Sequence, residues 1–245
     1  MARQLFLLVL LGAVTLLHAE VPSFIRVCGR QNPQLDKCIQ ESIMRLMPKL
    51  KEGIPNLDVP SLEPLFVDSI AIANINDFQA LATNVKLGGL SSFHIKHMHV
   101  DLKDQRIDVE IIFPKISMDS DYNVKAKIIV PINEKGPIKC TTNDVNAKVS
   151  IKFQITERRG QRLIYFPSMT TKLMITDYIA DFESNDGGKT NPVTEAINSI
   201  LVSSKEEIIT SMTPNLEKAI SEKVLNVANR ICKHFTYDEL FPDRP

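Results

Sequence analysis

Three histidines, four cysteines and one glycine-rich turn are the residues of this chain whose types and spacing invite chemistry. His94, His97 and His99 fall within one extended stretch. A period of two puts His97 and His99 on one face and His94 on the other. Two imidazoles so spaced suit a weakly held metal, but no acidic or cysteine partner accompanies them. The simpler reading is a solvated strand face, with Phe93, Ile95, Met98 and Val100 carrying the apolar side around a local irregularity. Asp186-Gly187-Gly188-Lys189-Thr190 resembles the end of a phosphate loop between a strand pattern and a helix. The loop needs glycine at position 183, and Glu183 there would repel a phosphate, so a polar connection is favoured. There is no Gly-x-Ser-x-Gly elbow and no His-Glu-x-x-His motif, and the carboxylates form no recognisable acid–base pair. No catalytic residue, resident metal or cofactor is expected.

The cysteines point to a compartment. Cys28 and Cys38 flank a Gly/Asn/Pro loop and are expected to pair, pinning the N-terminal stretch to the first helix. Cys140 and Cys232 either form a second bridge or stay as buried thiols. The absence of Cys-x-x-Cys spacing argues against a zinc site. Arg3, the apolar run Leu5–Leu17 and the small residue Ala19 have the layout of a secretory leader. The run is shorter than the ~20 residues a membrane span needs. The expected organisation is therefore a leader over residues 1–19 and one domain over 20–245, secreted into an oxidising space. Basic and acidic residues balance at 29 each, and losing the leader removes only Arg3. Nothing in that charge calls for nucleic acid or an anionic membrane surface. No second apolar run of membrane length follows.

The elements that must position these residues fall in three zones. Leu35, Cys38, Ile39, Ile43, Leu46 and Leu50 recur at helical spacing, with Gly53 and Pro55 as the stop and Pro48 predicting a kink or an irregular last turn. From about Val67 to Asp181 the pattern is β. Val124, Ala126, Ile128 and Val130 alternate with Lys125, Lys127 and Ile129, and Val145, Ala147, Val149, Ile151, Phe153 and Ile155 alternate with polar neighbours. Turn signals fall at Gly88-Gly89, Asp104-Gln105, Asn133–Pro137 and Arg159-Gly160. No helix interrupts them, so an antiparallel, meander-like sheet is expected, curved because its strands are long and one-sided. The third zone, residues 192–234, is helical. Val193, Ile197, Ile200, Leu201, Ile208 and Met212 precede an expected kink at Pro214, and Leu216, Ile220, Val224, Val227 and Ile231 follow it. So long an apolar stripe needs an equally long cover, and only the sheet supplies one.

At this point the chain resembles the takeout and juvenile-hormone-binding protein family of insects, closest to its takeout-like branch. The resemblance rests on Cys28-Gly-Arg-Gln-Asn-Pro-Gln-Leu-Asp-Lys-Cys38, Met47-Pro48-Lys49-Leu50, Gly89-Leu90-Ser91-Ser92-Phe93, Val100-Asp101-Leu102 and Phe113-Pro114-Lys115. It continues through Val130-Pro131-Ile132, Gly136, Pro214-Asn215-Leu216 and Tyr237-Asp238-Glu239-Leu240-Phe241-Pro242. The order and spacing of these pieces across the chain carry it. The resemblance implies an α+β fold of the tubular lipid-binding kind, a long C-terminal helix wrapped by a highly curved antiparallel sheet, with a hydrophobic tunnel between them. It implies that Pro48 sits where the first helix ends, and that a second disulfide, where present, would involve Cys140 and Cys232. It implies carriage of a terpenoid hormone, a quinone-like or a fatty-acyl molecule, in chemosensory, circadian or feeding physiology. The candidate tunnel linings are Val85, Leu87, Phe93, Ile95, Val100, Ile111 and Phe153 from the sheet, with Ile197, Ile200, Leu201 and Ile208 from the helix. Each of these side chains also suits plain core packing. The expectation is a secreted, monomeric carrier of a small hydrophobic ligand. A ligand-free extracellular interaction protein and a hydrolase of hydrophobic esters are the competing readings.

Overall fold

The computed structural model describes residues 21–75, 78–127, 131–182 and 192–245. The leader and the Asp186–Thr190 turn lie outside the described residues. The chain order is α1 (Leu35–Glu52), β1 (Leu65–Ile75), β2 (Phe78–Gly88), β3 (His94–Asp101), β4 (Arg106–Lys127), β5 (Pro131–Arg158), β6 (Gln161–Met174), β7 (Ile179–Phe182), α2 (Pro192–Ser203), α3 (Lys205–Cys232) and α4 (Tyr237–Leu240).

The antiparallel sheet is built on one long ribbon. β4 has 22 residues and β5 has 28, and their ladder runs from Arg106–Lys152 to Lys127–Pro131. At ~3.4 Å per residue, β4 alone is roughly 70 Å long. Each ribbon strand has its outer side shared by two short partners. β3 and β2 divide β4 between them, and β6 and β7 divide β5. The strand order β1-β2-β4-β5-β6 therefore departs from the expected meander, with β3 and β7 off the main path.

The ribbon also changes which residues face inward. Before Pro114 the odd positions Val109, Ile111 and Phe113 point in; beyond it the even positions Met118, Tyr122 and Val124 do. β5 changes at the same level, from Ile138 and Cys140 to Val145, Ala147 and Val149. The switch falls between the Phe113–Val145 and Lys115–Asn143 pairs, where Asp144 has a φ of 51°. Proline has no N–H for the ladder, and a left-handed residue turns the strand about its axis.

One turn expectation and one face assignment change. Gln105, Arg159, Gly89 and Gly160 do adopt positive φ at their turns. Asn133–Pro137 instead lies inside β5, paired with Asp121–Lys125. Among the described strands only β4 pairs with this part of β5, and a strand without a second neighbour tolerates proline. In β3 a register shift between Ile95 and His97 inserts one residue into the strand. That bulge moves His94 to the same exposed face as His97 and His99, instead of the opposite one.

The helices also differ in detail. α1 does not end at Pro48; it runs on to Glu52 and stops at Gly53, whose φ is 90°. Pro48 is carried inside the helix, one residue before its last turn, at the loss of its own bond to the carbonyl four residues back. Asp36 in its first turn and Lys49 and Lys51 in its last suit the helix dipole. The C-terminal helical zone breaks at Ser204, with ψ of 27°, while Pro214 is carried inside α3. Consecutive serines favour such a break, because their hydroxyls compete for backbone groups. Ser203 donates to the Ile200 carbonyl at 3.4 Å.

The sheet curls around α2 and α3, and the core follows the helix axis. Ile197, Leu201 and Ile208 pack with Ala73, Phe78, Val124 and Ala126 at one end. Leu216 and Ala219 meet Val67, Ile70 and Val85 in the middle. Ile231 and Phe235 meet Leu50, Ile54 and Val59 at the other end. α3 also occupies the free edges of both outer strands. Asn215 donates to the Ala71 carbonyl of β1 at 3.0 Å. Asn229 accepts from the Phe166 N–H of β6 at 2.8 Å and donates to the Phe166 carbonyl at 2.9 Å. The helix thereby completes an otherwise open half-barrel and satisfies exposed edge groups.

Candidate ligand-binding cavity

Between α3 and the concave sheet lies a cavity of about 550 Å³, lined almost wholly by apolar side chains. It runs from Ile25, Cys28 and Phe241 at one end to Phe78, Tyr178 and Leu201 at the other. The period-two inward positions of β4, β5 and β6 form its walls, and Met212, Leu216, Ile220, Val224 and Val227 of α3 form its floor.

Of the residues expected to line a tunnel, Leu87, Phe93, Ile95, Ile111, Leu201 and Ile208 do border this cavity. Val85, Val100, Phe153, Ile197 and Ile200 do not. Val85 is fully buried against β1 and α3, beside a register shift at which Asn84 has a φ of 53°. Val100 is buried with the Cys28–Cys38 pair, and its N–H donates to Asp36 at 2.8 Å. Phe153 sits at another register shift and packs with Phe166, Ile164, Cys232 and Tyr237. Ile197 and Ile200 belong to the packed end cluster. Bulges and end-packing override simple alternation at these positions.

The sequence reading omitted three contributors. α1 supplies Ile39, Ile43 and Leu46, which its helical periodicity marks as a buried face without saying what they bury against, and Met47 beside them. β6 supplies Met169, Thr171 and Leu173, hidden by the polar residue among them. The C-terminal tail supplies Leu240 and Phe241. That tail is fastened to the N-terminal loop. Arg30 and Arg162 lie over the Tyr237 ring at 5.2 and 5.4 Å, and both pair with Asp238. The Arg30 N–H donates to the Pro242 carbonyl at 2.9 Å. A reciprocal Thr236–Glu239 capping box starts α4.

Cys28 and Cys38 form a disulfide with Cα atoms 5.9 Å apart. Cys140 and Cys232 are free thiols, so the second bridge is not formed. They stand at opposite ends: Cys140 pairs with Ala180 of β7, next to Tyr178, whereas Cys232 is at the end of α3 beside Phe153 and Tyr237. A disulfide requires Cα atoms within about 7 Å. Burial pushes each thiol up to about 12. Burial first, then the nearby Cys140 and Asp177, push the Tyr178 hydroxyl up to about 12; it donates to the Leu201 carbonyl at 2.9 Å. These groups are protonated at neutral pH and add no charge to the wall. His94, His97 and His99 lie outside the cavity on the exposed face of β3, with His99 Nδ1 3.4 Å from Asp36. Among the described residues no three His, Cys, Asp or Glu side chains converge as metal ligands. No helix among them is long and apolar enough to cross a membrane.

An apolar volume of this kind can hold a hydrophobic molecule by excluding water from it. The comparisons with known proteins agree. The chain is 22% identical over 230 residues to a Schistocerca gregaria protein that is by name a beta-carotene-binding protein, covering 90% of this chain and 89% of that one. It is 22% identical over 239 residues to the Drosophila melanogaster circadian clock-controlled protein daywake, covering 90% and 88% respectively. Its fold is similar to the crystal structure of Epiphyas postvittana Takeout 1, with a TM-score of 0.73 at 17% identity, over 89% of this chain and 100% of that one. The family model for haemolymph juvenile hormone binding protein matches residues 5–242. The chain belongs to that family, whose members are carriers of hydrophobic ligands.

Proposed function

We propose that this protein is a secreted, monomeric carrier that encloses one small hydrophobic molecule, terpenoid, quinone-like or fatty-acyl, between α3 and the curved sheet. The observation that carries this reading is the apolar cavity of about 550 Å³, within the usual range for small-molecule sites. Each 100 Å² of ligand surface covered contributes roughly 2.5 kcal/mol before ordering costs. An apolar wall does not distinguish among elongated ligands of similar girth, so cavity length and its few polar groups set the choice. Secretion is supported by the leader layout of Arg3, Leu5–Leu17 and Ala19 and by the Cys28–Cys38 disulfide. Cleavage after Ala19 would leave residues 20–245 as the working unit. The test is to purify the protein from an oxidising secretory host without detergent, extract it with organic solvent and identify the extract by mass spectrometry. A lipophilic compound near equimolar ratio supports the carrier. An empty extract, together with no uptake of added terpenoid, quinone or fatty-acyl probes, overturns it.

A further inference from the structure

Inside this apolar cavity one polar feature stands out. The Thr171 hydroxyl of β6 and the Ser221 hydroxyl of α3 lie 2.7 Å apart. Thr171 is 3% exposed and Ser221 8% exposed, and Thr171 borders the cavity. Their surroundings are apolar: Met169 and Leu173 flank Thr171 on the same strand face, and Ile220 and Val224 flank Ser221, all four against the cavity. Two hydroxyls carry two protons, and one bond between them uses one. Neither oxygen has another protein partner among the described residues. Whichever group donates within the pair, the other keeps an O–H without an acceptor, in a place where an unmatched donor is costly.

We infer that the Thr171–Ser221 pair is a hydrogen-bonding anchor for the ligand, and that the ligand carries an acceptor oxygen, such as a ketone, ester or ether, partway along its apolar chain. This rests on the carrier reading above and narrows it, since a pure hydrocarbon cannot use the spare donor. Two other contacts to α3 along β6 serve a different purpose. Glu217 accepts from the Leu173 N–H at 2.9 Å and Asn229 bonds the Phe166 backbone, and both satisfy edge groups of the sheet. Thr171–Ser221 satisfies no backbone group and borders the cavity.

The experiment compares dioctyl ketone with heptadecane, of equal chain length, by displacement of a naphthylamine fluorophore from the delipidated full-length mature protein. Affinities are corrected for each compound's transfer from water. The wild type should prefer the ketone by roughly fivefold, the worth of about one net hydrogen bond. The double variant Thr171→Val with Ser221→Ala removes both hydroxyls and keeps the shape nearly constant. It should bind heptadecane as well as the wild type does and bring the ketone preference to about one. Thermal melts identify any variant that has failed to fold, and the single variant Thr171→Val, which removes the hydroxyl that borders the cavity, then serves instead: its ketone preference should fall toward one, and a full preference retained overturns the anchor. A double variant that retains the full ketone preference overturns the anchor, as does a wild type that binds both compounds equally. If neither compound nor fluorophore binds the wild type, it is the carrier reading that fails.

Discussion

Asn229 is where the closure of this fold is most sharply testable. Its side-chain amide replaces a missing strand neighbour, bonding the Phe166 N–H at 2.8 Å and the Phe166 carbonyl at 2.9 Å. Asn229→Ala removes both bonds and leaves two half-buried backbone groups that water reaches poorly. A net ~1 kcal/mol per bond, with part of the penalty for an unsatisfied group, gives a loss of about 2–3 kcal/mol. For a chain of this size that lowers Tm by roughly 5–10 °C. Asn215→Ala is the internal control. It also removes a bond to an edge strand, but an exposed one to the Ala71 carbonyl, so about 0.5–1 kcal/mol is expected. Asn229→Asp keeps the acceptor for the Phe166 N–H and sets a carboxylate against the Phe166 carbonyl. It should match the alanine variant at neutral pH and recover partly in acid, when the protonated carboxyl can donate. Urea unfolding followed by circular dichroism reads all three, with an unchanged m-value showing that only stability moved. A loss below about 0.5 kcal/mol for Asn229→Ala, or one no larger than that of Asn215→Ala, would refute the claim that this amide seals the seam.

Two further outcomes follow from the titrating groups. Burial holds the Cys140 and Cys232 thiols at about 12, so at pH 8 iodoacetamide should label them roughly three orders of magnitude more slowly than an ordinary thiol until urea is added; labelling of the folded protein at the free-cysteine rate, measured by peptide mass, contradicts the burial. The hydrogen bond from Arg162, with the Arg162 and Arg30 charges, holds the Asp238 carboxyl below its ordinary value. Its contribution is complete above the unfolded carboxylate value of ~3.9 and is lost as pH falls through the lower folded value, so Asp238→Asn should flatten the acid limb of the urea midpoint below about pH 4. An acid limb identical to that of the wild type counts against the Arg30–Tyr237–Arg162 clasp.

Much of the architecture was legible because periodicity reports which face a segment buries. The alternation over Val145–Ile155 and the helical stripe from Ile197 to Ile231 were enough to require a long sheet covering a long helix. The turn at Arg159-Gly160 and the stop at Gly53 were legible for a similar reason, since each needs a backbone conformation that few residues adopt easily. Asn133–Pro137 misled because its residues suit a turn in isolation, whereas pairing with Asp121–Lys125 decides that they extend. At Ser204 the cause of the break is itself local, serine hydroxyls competing for backbone groups, while Pro214 is carried inside α3.

The cavity wall divides the same way. Local pattern alone fixes that Leu87, Ile95, Ile111 and Ile208 point inward, because side-chain direction is a property of the segment. Whether an inward residue meets a ligand space or another side chain depends on the distance to the opposing element. Bulges near Val85 and Phe153 and the end-packing of Ile197 change that distance without changing the pattern. The fate of Cys140 and Cys232 was likewise open in the sequence, where an even cysteine count fits a bridge or two thiols equally. Only the folded chain sets them at opposite ends of the molecule. The sequence by itself determined the helical and β zones, most of their buried faces and the family resemblance. The tertiary structure decided that sheet and helix stand far enough apart to leave a cavity, and that Thr171 and Ser221, 50 residues apart in the chain, meet at its wall. A gap between two elements is a long-range distance, and no local run of residues encodes it.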